Sequence, residues 1–491
     1  MVDVLLTHSY HLFYDRKQVR KMQPYPPLGT LYAASLLRQQ GVSVAVFDTM
    51  LNDPDEGFAE ALARYRPQLI AIYEDSFNFL SKMCLTRMRE VAFRMIRTAS
   101  VAGIPVVVNG SDASDNALEY LQRGCECVLL GEAKSTLLEV TQALLAPYWP
   151  NWDHVAGIAF LRAPDGNMVR TAPRPLIRDL DSLPFPARDL VDLEPYRKAW
   201  KGAHGYFSLN LVSSRGCPYR CNWCAKPIYG NAFHVRSAEN VAQEMKLLKE
   251  ECGAEHLWFA DDIFALKQRW ASELAEAVER LDAAVPFKMQ SRVDLMTRPT
   301  VASLRRAGCS EVWMGAESGS QKILDAMEKD TRVEQIAAAR EHLLRHGIRA
   351  CYFLQFGYPG ETWRDIQNTI ELVRRTRPDD IGVSVSYPLP GTRFYDRVVE
   401  QLGPKTNWRD SDDLAMMFRG AYTDEFYHAL HDALHAEVDG WGASAAAPAR
   451  AAEQAQKLWD RVLLLEKTCR NQSPTACPHD PAMTAAAQFA D

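Results

Sequence analysis

Three cysteines fall within eight residues in the stretch SSRGCPYRCNWCAKPIYG, residues 213–230. Cys217, Cys221 and Cys224 have the spacing C-x3-C-x2-C. Structural zinc calls for four closed ligands, and the chain supplies no partner pair at finger-like spacing. Ordinary core cysteines fit poorly, because Gly216 and Pro218 mark a loop. Cubane iron–sulfur clusters are usually held by four thiolates, so three leave one iron open to a substrate or cofactor.

A loop can present such a group only from rigid elements. Beyond residue 206, strand-like runs at 207–212, 256–260, 287–290, 311–314, 350–356 and 381–385 alternate with helical patterns such as 241–251, 271–283, 333–346 and 362–375. Six such units predict a partial (β/α)6 barrel of TIM type over 206–395, with its chemistry at the strand C-termini. The cysteines follow the first of these strands. Asp261, Asp262, Arg292, Glu317 and the loop FGYPGET (356–362) follow later ones.

Residues 1–145 show the same rhythm, with strands expected at 3–7, 43–47, 69–73, 106–109 and 127–130 and helices at 30–40 and 56–65. Continuous apolar strands alternating with helices predict an α/β domain with a doubly wound parallel sheet of Rossmann or flavodoxin-like type. Ligands of such sheets bind beyond the strand C-termini, which draws attention to residues 26–30, 73–79, 109–114 and 131–135. Residues 146–205 read as a connector with one hairpin turning at Asp165-Gly166. A helical region is expected at 396–440, then the linker GASAAAPARAA, a helix at 453–468 and a disordered tail within 441–491.

The 491 residues carry a net charge of −6, with 47% apolar and 24% charged residues, values for a globular chain of two or three domains. This balance offers no broad basic face for nucleic acid. No apolar run reaches the roughly 18 residues of a membrane span. The opening MVDVLLTHSYHLFYD reads as a first strand, not a signal peptide. Eleven cysteines, an odd and unevenly clustered set, read as thiols and metal ligands of a cytoplasmic protein.

With Trp223 just before the last cysteine, the loop resembles the signature of the radical S-adenosylmethionine (SAM) enzymes. The order of front sheet and barrel over residues 1–395 resembles that family's cobalamin-binding branch. The resemblance implies a [4Fe-4S] cluster on Cys217, Cys221 and Cys224. Its open iron chelates SAM, whose reductive cleavage gives a 5′-deoxyadenosyl radical. It places Trp223 beside the SAM site and assigns Asp261 and Asp262 to the SAM amino group, with helix capping as the alternative. Arg292 could pair with the SAM carboxylate, or be a surface charge. Glu317 resembles the ribose contact, and Gly357 and Pro359 belong to the loop approaching the adenine. YPLPGTRFYD (387–396) resembles the loop facing the substrate.

For cobalamin, the resemblance implies contacts from Pro27, Leu28 and Gly29 in PYPPLGT, Tyr73, Glu74 and Asp75 in YEDSFNFLSKMC, Gly110 and Ser111 in VVVNGSDAS, and Gly131 and Glu132 in LLGEAKSTL. Plain sheet turns are the alternative. Ala133-Lys134 departs from the branch's second Gly-Glu. The Asp-x-His-x-x-Gly pattern is missing, so neither His8 nor His11 is expected to ligate cobalt. The loop after the third strand is expected beneath it.

The implied activity is methylation of an unactivated carbon on a small molecule such as a secondary metabolite, lipid or tetrapyrrole. A flavodoxin or ferredoxin would serve as electron donor, and no nucleic acid is involved. Oxidative cyclisation or rearrangement stays open. An RNA methylthiotransferase, needing a second cluster from Cys84, Cys125 and Cys127, and a non-catalytic cobalamin sensor are further readings. Residues 408–438 are expected to close the pocket. His428, His431 and His435 share a helical face there, as a second metal site or a packed face.

Overall fold

The structure, a computed structural model, describes residues 1–78, 83, 85–148, 150–403, 405, 407–441 and 448–471, without the side chains of 448–451. Cys84, residues 79–82 of the loop expected beneath cobalt, linker residues 442–447 and the tail beyond 471 lie outside them.

In the front domain β1 (Val4–Thr7), β2 (Val44–Phe47), β3 (Leu69–Tyr73), β4 (Val106–Asn109) and β5 (Cys127–Leu129) form a parallel sheet in the order β2-β1-β3-β4-β5. Alternate residues of one strand enter different cores, Leu5 one and Val4 and Leu6 the other. Both faces are therefore covered, as continuous apolar strands require. The hairpin β6 (Ile158–Arg162) and β7 (Asn167–Arg170) turns where the sequence placed it, but it does not lie in a free connector. It pairs antiparallel with β5 and extends the sheet to seven strands.

The barrel sheet runs β15-β14-β13-β12-β11-β8, all parallel. Its strands are β8 (Ser208–Leu211), β11 (His256–Phe259), β12 (Phe287–Ser291), β13 (Cys309–Glu317), β14 (Arg349–Phe356) and β15 (Asp380–Val385), and a short pair, β9 (Ser214–Arg215) and β10 (His234–Val235), follows β8. The barrel stays open between β8 and β15. Leu209, Leu257, Phe287, Val312, Tyr352 and Ile381 face the surrounding helices in one core. Strand β13 outruns its expected range because a bulge between Gly315 and Glu317 lengthens it.

Residues of the front domain complete the barrel wall. Tyr25 Oη and Ser208 Oγ lie 3.1 Å apart, the Pro26 carbonyl accepts from Asn210 Nδ2 at 2.9 Å, and Gln23 Oε1 accepts from Lys288 Nζ at 2.9 Å. At the C-terminus a helix over Asp424–Trp441 packs on β15, and a second, Pro448–Thr468, packs on the first. The second helix begins within the stretch expected as linker. Ala-rich sequence after a proline at the first helical position favours this start. No helix among the described residues is long and apolar enough to cross a membrane.

Candidate active site

The cysteine loop is fixed from four sides. Asp261, at the end of β11, accepts from the Ser213 amide at 3.1 Å through both oxygens, from Ser213 Oγ at 2.8 Å and from Ser214 Oγ. Gly216 then turns with φ 77°, and a Cβ there would stand 2.2 Å from the Ala232 carbonyl oxygen. Lys226 Nζ donates to the carbonyls of Cys217, at 3.1 Å, and of Tyr219. Asn222 ties the loop to later strand ends. Its amide donates to the Met327 carbonyl at 3.1 Å and its Nδ2 to the Ala326 carbonyl at 2.8 Å. Its Oδ1 accepts from Tyr358 Oη at 2.9 Å, and its carbonyl from the Phe394 amide at 3.0 Å. Through Phe394 the loop of residues 387–396 thus meets the cysteine loop.

The three thiols are half-buried and unpaired. Burial raises the Cys217 pKa, and it pushes Cys224 up to about 12; neighbouring thiolates add to both shifts. Thiolates here need positive charge. Arg292 Nη1 stands 3.9 Å from Cys221 Sγ, Lys329 lies within electrostatic reach of Cys221, and Lys226 acts on Cys217. Among the described residues no three His, Cys, Asp or Glu side chains converge on one ion. A cubane asks for no such convergence, since each thiolate takes its own iron. The donor set therefore fits an iron–sulfur cluster and not a single zinc.

The residues assigned to SAM gather around this loop, with changes of role. The Asp261 carboxylate is turned to the loop backbone and clamps it; burial raises its pKa to about 6. Half-buried Asp262 lies within electrostatic reach of Cys217. Arg292 is 5% exposed, so it is no surface charge; its guanidinium carbon sits 3.7 Å over the Tyr219 ring and its Nε donates to Asp294 at 2.9 Å. Glu317 has φ 60°, rare for a residue with a Cβ, and pairs with buried Lys329 at 2.7 Å. Lys329 in turn lies 5.8 Å from the Trp223 ring centre. A Cβ on Gly357 would stand 2.2 Å from Met416 Sδ, so its bareness admits the C-terminal segment. Pro359 is half-buried in the same loop.

Lys329, Asn222, Tyr358 and Glu361 were not foreseen. Asn222 lies inside the cysteine loop and Tyr358 and Glu361 inside FGYPGET, while Lys329, between two helices, carried no signal. Burial raises Glu361 to about 8, so it is largely neutral at pH 7. Trp223 Nε1, Glu361 Oε1 and Tyr427 Oη are buried without a partner. Unmet groups of this kind are what a polar ligand at the strand ends would satisfy.

The front sheet brings its assigned residues to the barrel mouth. Leu28, Tyr32 and Phe77 pack with Val212, Ile228 and Tyr229. Glu132, 5% exposed, pairs with buried Arg215 of β9 and accepts from the Ile177 amide at 2.9 Å. Gly131 has φ 65°, and Tyr73 ends its strand fully buried. The Gly29 amide donates to Asp75 at 3.0 Å, and Glu74 accepts from the Ser9 amide at 3.0 Å. The approaches bared by Gly29 and Gly110 are filled by Asp75, Ser76 and Glu74, while Ser111, following Gly110, starts a short helix. Pro27 is buried where the helix Leu28–Gln39 begins. Lys134 is 1% exposed, near the rings of Tyr32, Tyr73 and Phe77 at 5.7–5.9 Å, with no ion-pair partner among the described residues. An anionic group of a ligand would satisfy that cation, whereas the approaches at Gly29 and Gly110 are closed as they stand.

His8 Nε2 lies 2.9 Å from Asp48, and His11 Nδ1 lies 2.9 Å from the Thr49 carbonyl. Cys125 and Cys127 enter opposite faces of the sheet and cannot share a cluster. The rings of His431 and His435 lie 4.4 Å apart, tilted by 49°, while His428 is exposed, so the three do not converge. Met416, Phe418 and Tyr427 cover the loop after β14.

Comparison with known proteins completes the description. Residues 211–373 match the Radical SAM superfamily. An uncharacterized methyltransferase of Pyrococcus horikoshii is 26% identical over 392 residues, 78% of this chain and 81% of its own. The hopanoid C-3 methylase of Methylococcus capsulatus is 24% identical over 456 residues, 90% of this chain and 82% of its own. The anaerobic magnesium-protoporphyrin IX monomethyl ester cyclase of Rubrivivax gelatinosus is 24% identical, over 78% of this chain and 67% of its own. Among solved structures, the radical SAM methyltransferase TsrM from Kitasatospora setae, with cobalamin and a [4Fe-4S] cluster bound, aligns with TM-score 0.65 at 18% identity, covering 82% of this chain and 75% of that chain. The cobalamin-dependent enzyme OxsB, with aqua-cobalamin and SAM bound, aligns with TM-score 0.69 at 16% identity, covering 95% and 71%.

Proposed function

We propose that this chain, a member of the radical SAM superfamily through residues 211–373, methylates an unactivated carbon of a small molecule. The observation that carries the reading is the loop of three thiols, clamped by Asp261 and Asn222 and bordered by Lys226, Arg292 and Lys329. When bound, the cluster and SAM supply a hydrogen-abstracting radical, and cobalamin on the front sheet supplies a methyl group. The chain's own work is to orient and to exclude water. Arg292 and Asp262 are the groups placed to hold the two charges of an amino acid beside the cluster. Glu317, held in a strained conformation, is the carboxylate offered to a ribose. Lys134 is the cation offered to the corrinoid. Electrons come from a flavodoxin or ferredoxin.

The test is protein purified without oxygen and with cobalamin supplied. About four irons and one cobalt per chain are expected, with 5′-deoxyadenosine formed from SAM. Cys221→Ala should abolish that product; a variant that still makes it overturns the radical reading. Iron without cobalt would leave radical chemistry and remove methyl transfer. The likeness to a cyclase supports oxidative cyclisation as the second reading, and product mass separates them, since only methylation adds a methylene.

A further inference from the structure

The inward positions of a closed TIM barrel are packed with bulky branched side chains. Here they are not. Trp258, Lys288, Trp313, Gly382 and Ser384 face inward and are only half-buried. Phe353 is 38% exposed although strands pair with it on both sides. Inward-facing surface is left uncovered there, and much of it is aromatic. Trp313 and Phe353 stack at 4.9 Å and 30°. A Cβ on Gly382 would stand 3.2 Å from Phe353 and 3.4 Å from Trp313, so the glycine keeps this ring pair clear. On the other wall Trp258 lies 4.8 Å from Tyr25.

One cation faces this slot without a counter-ion. Lys288 Nζ lies 5.7–6.0 Å from the rings of Tyr25, Trp200 and Trp258 and donates to the Gln23 amide oxygen at 2.9 Å. Among the described residues no carboxylate pairs with it. Glu311, the nearest strand neighbour, is taken by Arg349 at 2.7 Å and by Trp313 Nε1 at 2.7 Å. An ammonium has three donors, and one is used here.

We propose that the lumen takes a flat, conjugated molecule bearing a carboxylate, its rings against Trp258, Trp313 and Phe353 and its acid on Lys288. This rests on the radical SAM reading and names the substrate class of that site. Lys288 also sets a length. Arg292, beside Cys221, lies four residues further along the same strand and its exit, about 13 Å at 3.3 Å per residue. An acid anchored at Lys288 therefore presents the far end of a two- or three-ring system to the cluster.

The probe is anthracene-2-carboxylate, titrated by fluorescence into the reconstituted full chain and compared with anthracene-2-carboxamide and dodecanoate. The acid is expected to bind about 10- to 100-fold tighter than the amide, the range of a charged hydrogen bond, and tighter than dodecanoate. Lys288→Met should remove the preference for acid over amide, Lys288→Arg should keep it, and Gly382→Val should weaken both ring compounds. Equal binding of acid and amide, tighter binding of dodecanoate, no binding, or a preference that survives Lys288→Met overturns the proposal. SAM cleavage by the wild-type protein is read separately. Its failure with the acid preference intact sinks the functional reading alone.

Discussion

Lys134 carries its charge into a place where, among the described residues, no carboxylate forms an ion pair with it. Burial, and then Arg215, push its pKa down to about 7, against about 10.4 for a free lysine. Between those values the unfolded chain binds the extra proton, so stability rises with pH across this window and the penalty is fullest below pH 7. Lys134→Met removes the penalty. The variant should be more stable than the wild type at pH 6, by at most about 5 kcal/mol, and the gap should close towards pH 10. A gap independent of pH would mean that an anion already compensates the amine. The sequence marked this residue only as a departure, the lysine where the resemblance offered Gly-Glu. Its burial follows from where three aromatic side chains fall, which spacing along the chain does not record.

At the scale of elements, the alternation of apolar runs and helical patterns was enough to place every barrel strand and the first five strands of the front sheet. The cysteine loop could be read because its three cysteines lie close together in sequence. What escaped was long-range pairing. The hairpin at 158–170 has the right turn, but nothing local says that β6 joins β5. Asp261 was legible as an acid at a strand end, yet its direction depends on Ser213 and Ser214, nearly fifty residues earlier. Asn222 binds to residues more than a hundred positions away. The turn that starts the loop gives the test at this scale. Gly216→Ala forces a Cβ into the Ala232 carbonyl and a left-handed conformation on alanine, at a cost of about 2–4 kcal/mol. It should fold with much less iron and sulfide than the wild type; unchanged metal content would show that the loop can rearrange around the side chain.

At the scale of the molecule, the two α/β units share buried charge. Arg215 of the barrel and Glu132 of the front domain have side chains 4% and 1% exposed, and among the described residues no other carboxylate pairs with Arg215. Glu132→Gln should cost about 3–5 kcal/mol, because it strands a buried guanidinium. The measurement is thermal melting of the full chain, with a split into two transitions as the sign that the units have uncoupled. A loss below about 1 kcal/mol would mean that another anion reaches Arg215. The proline-rich segment that completes the barrel wall has a further consequence, one of timing. Gln23 and its partner Lys288 are 265 residues apart. A ribosome adding about 5–20 residues per second delivers the partner on the order of 10–50 s later. During that interval the front sheet can fold, but Tyr25 and its neighbouring prolines have no wall to join. The barrel then closes onto a segment already in place. A chain refolding from denaturant has no such head start, and must find both halves of that contact at once.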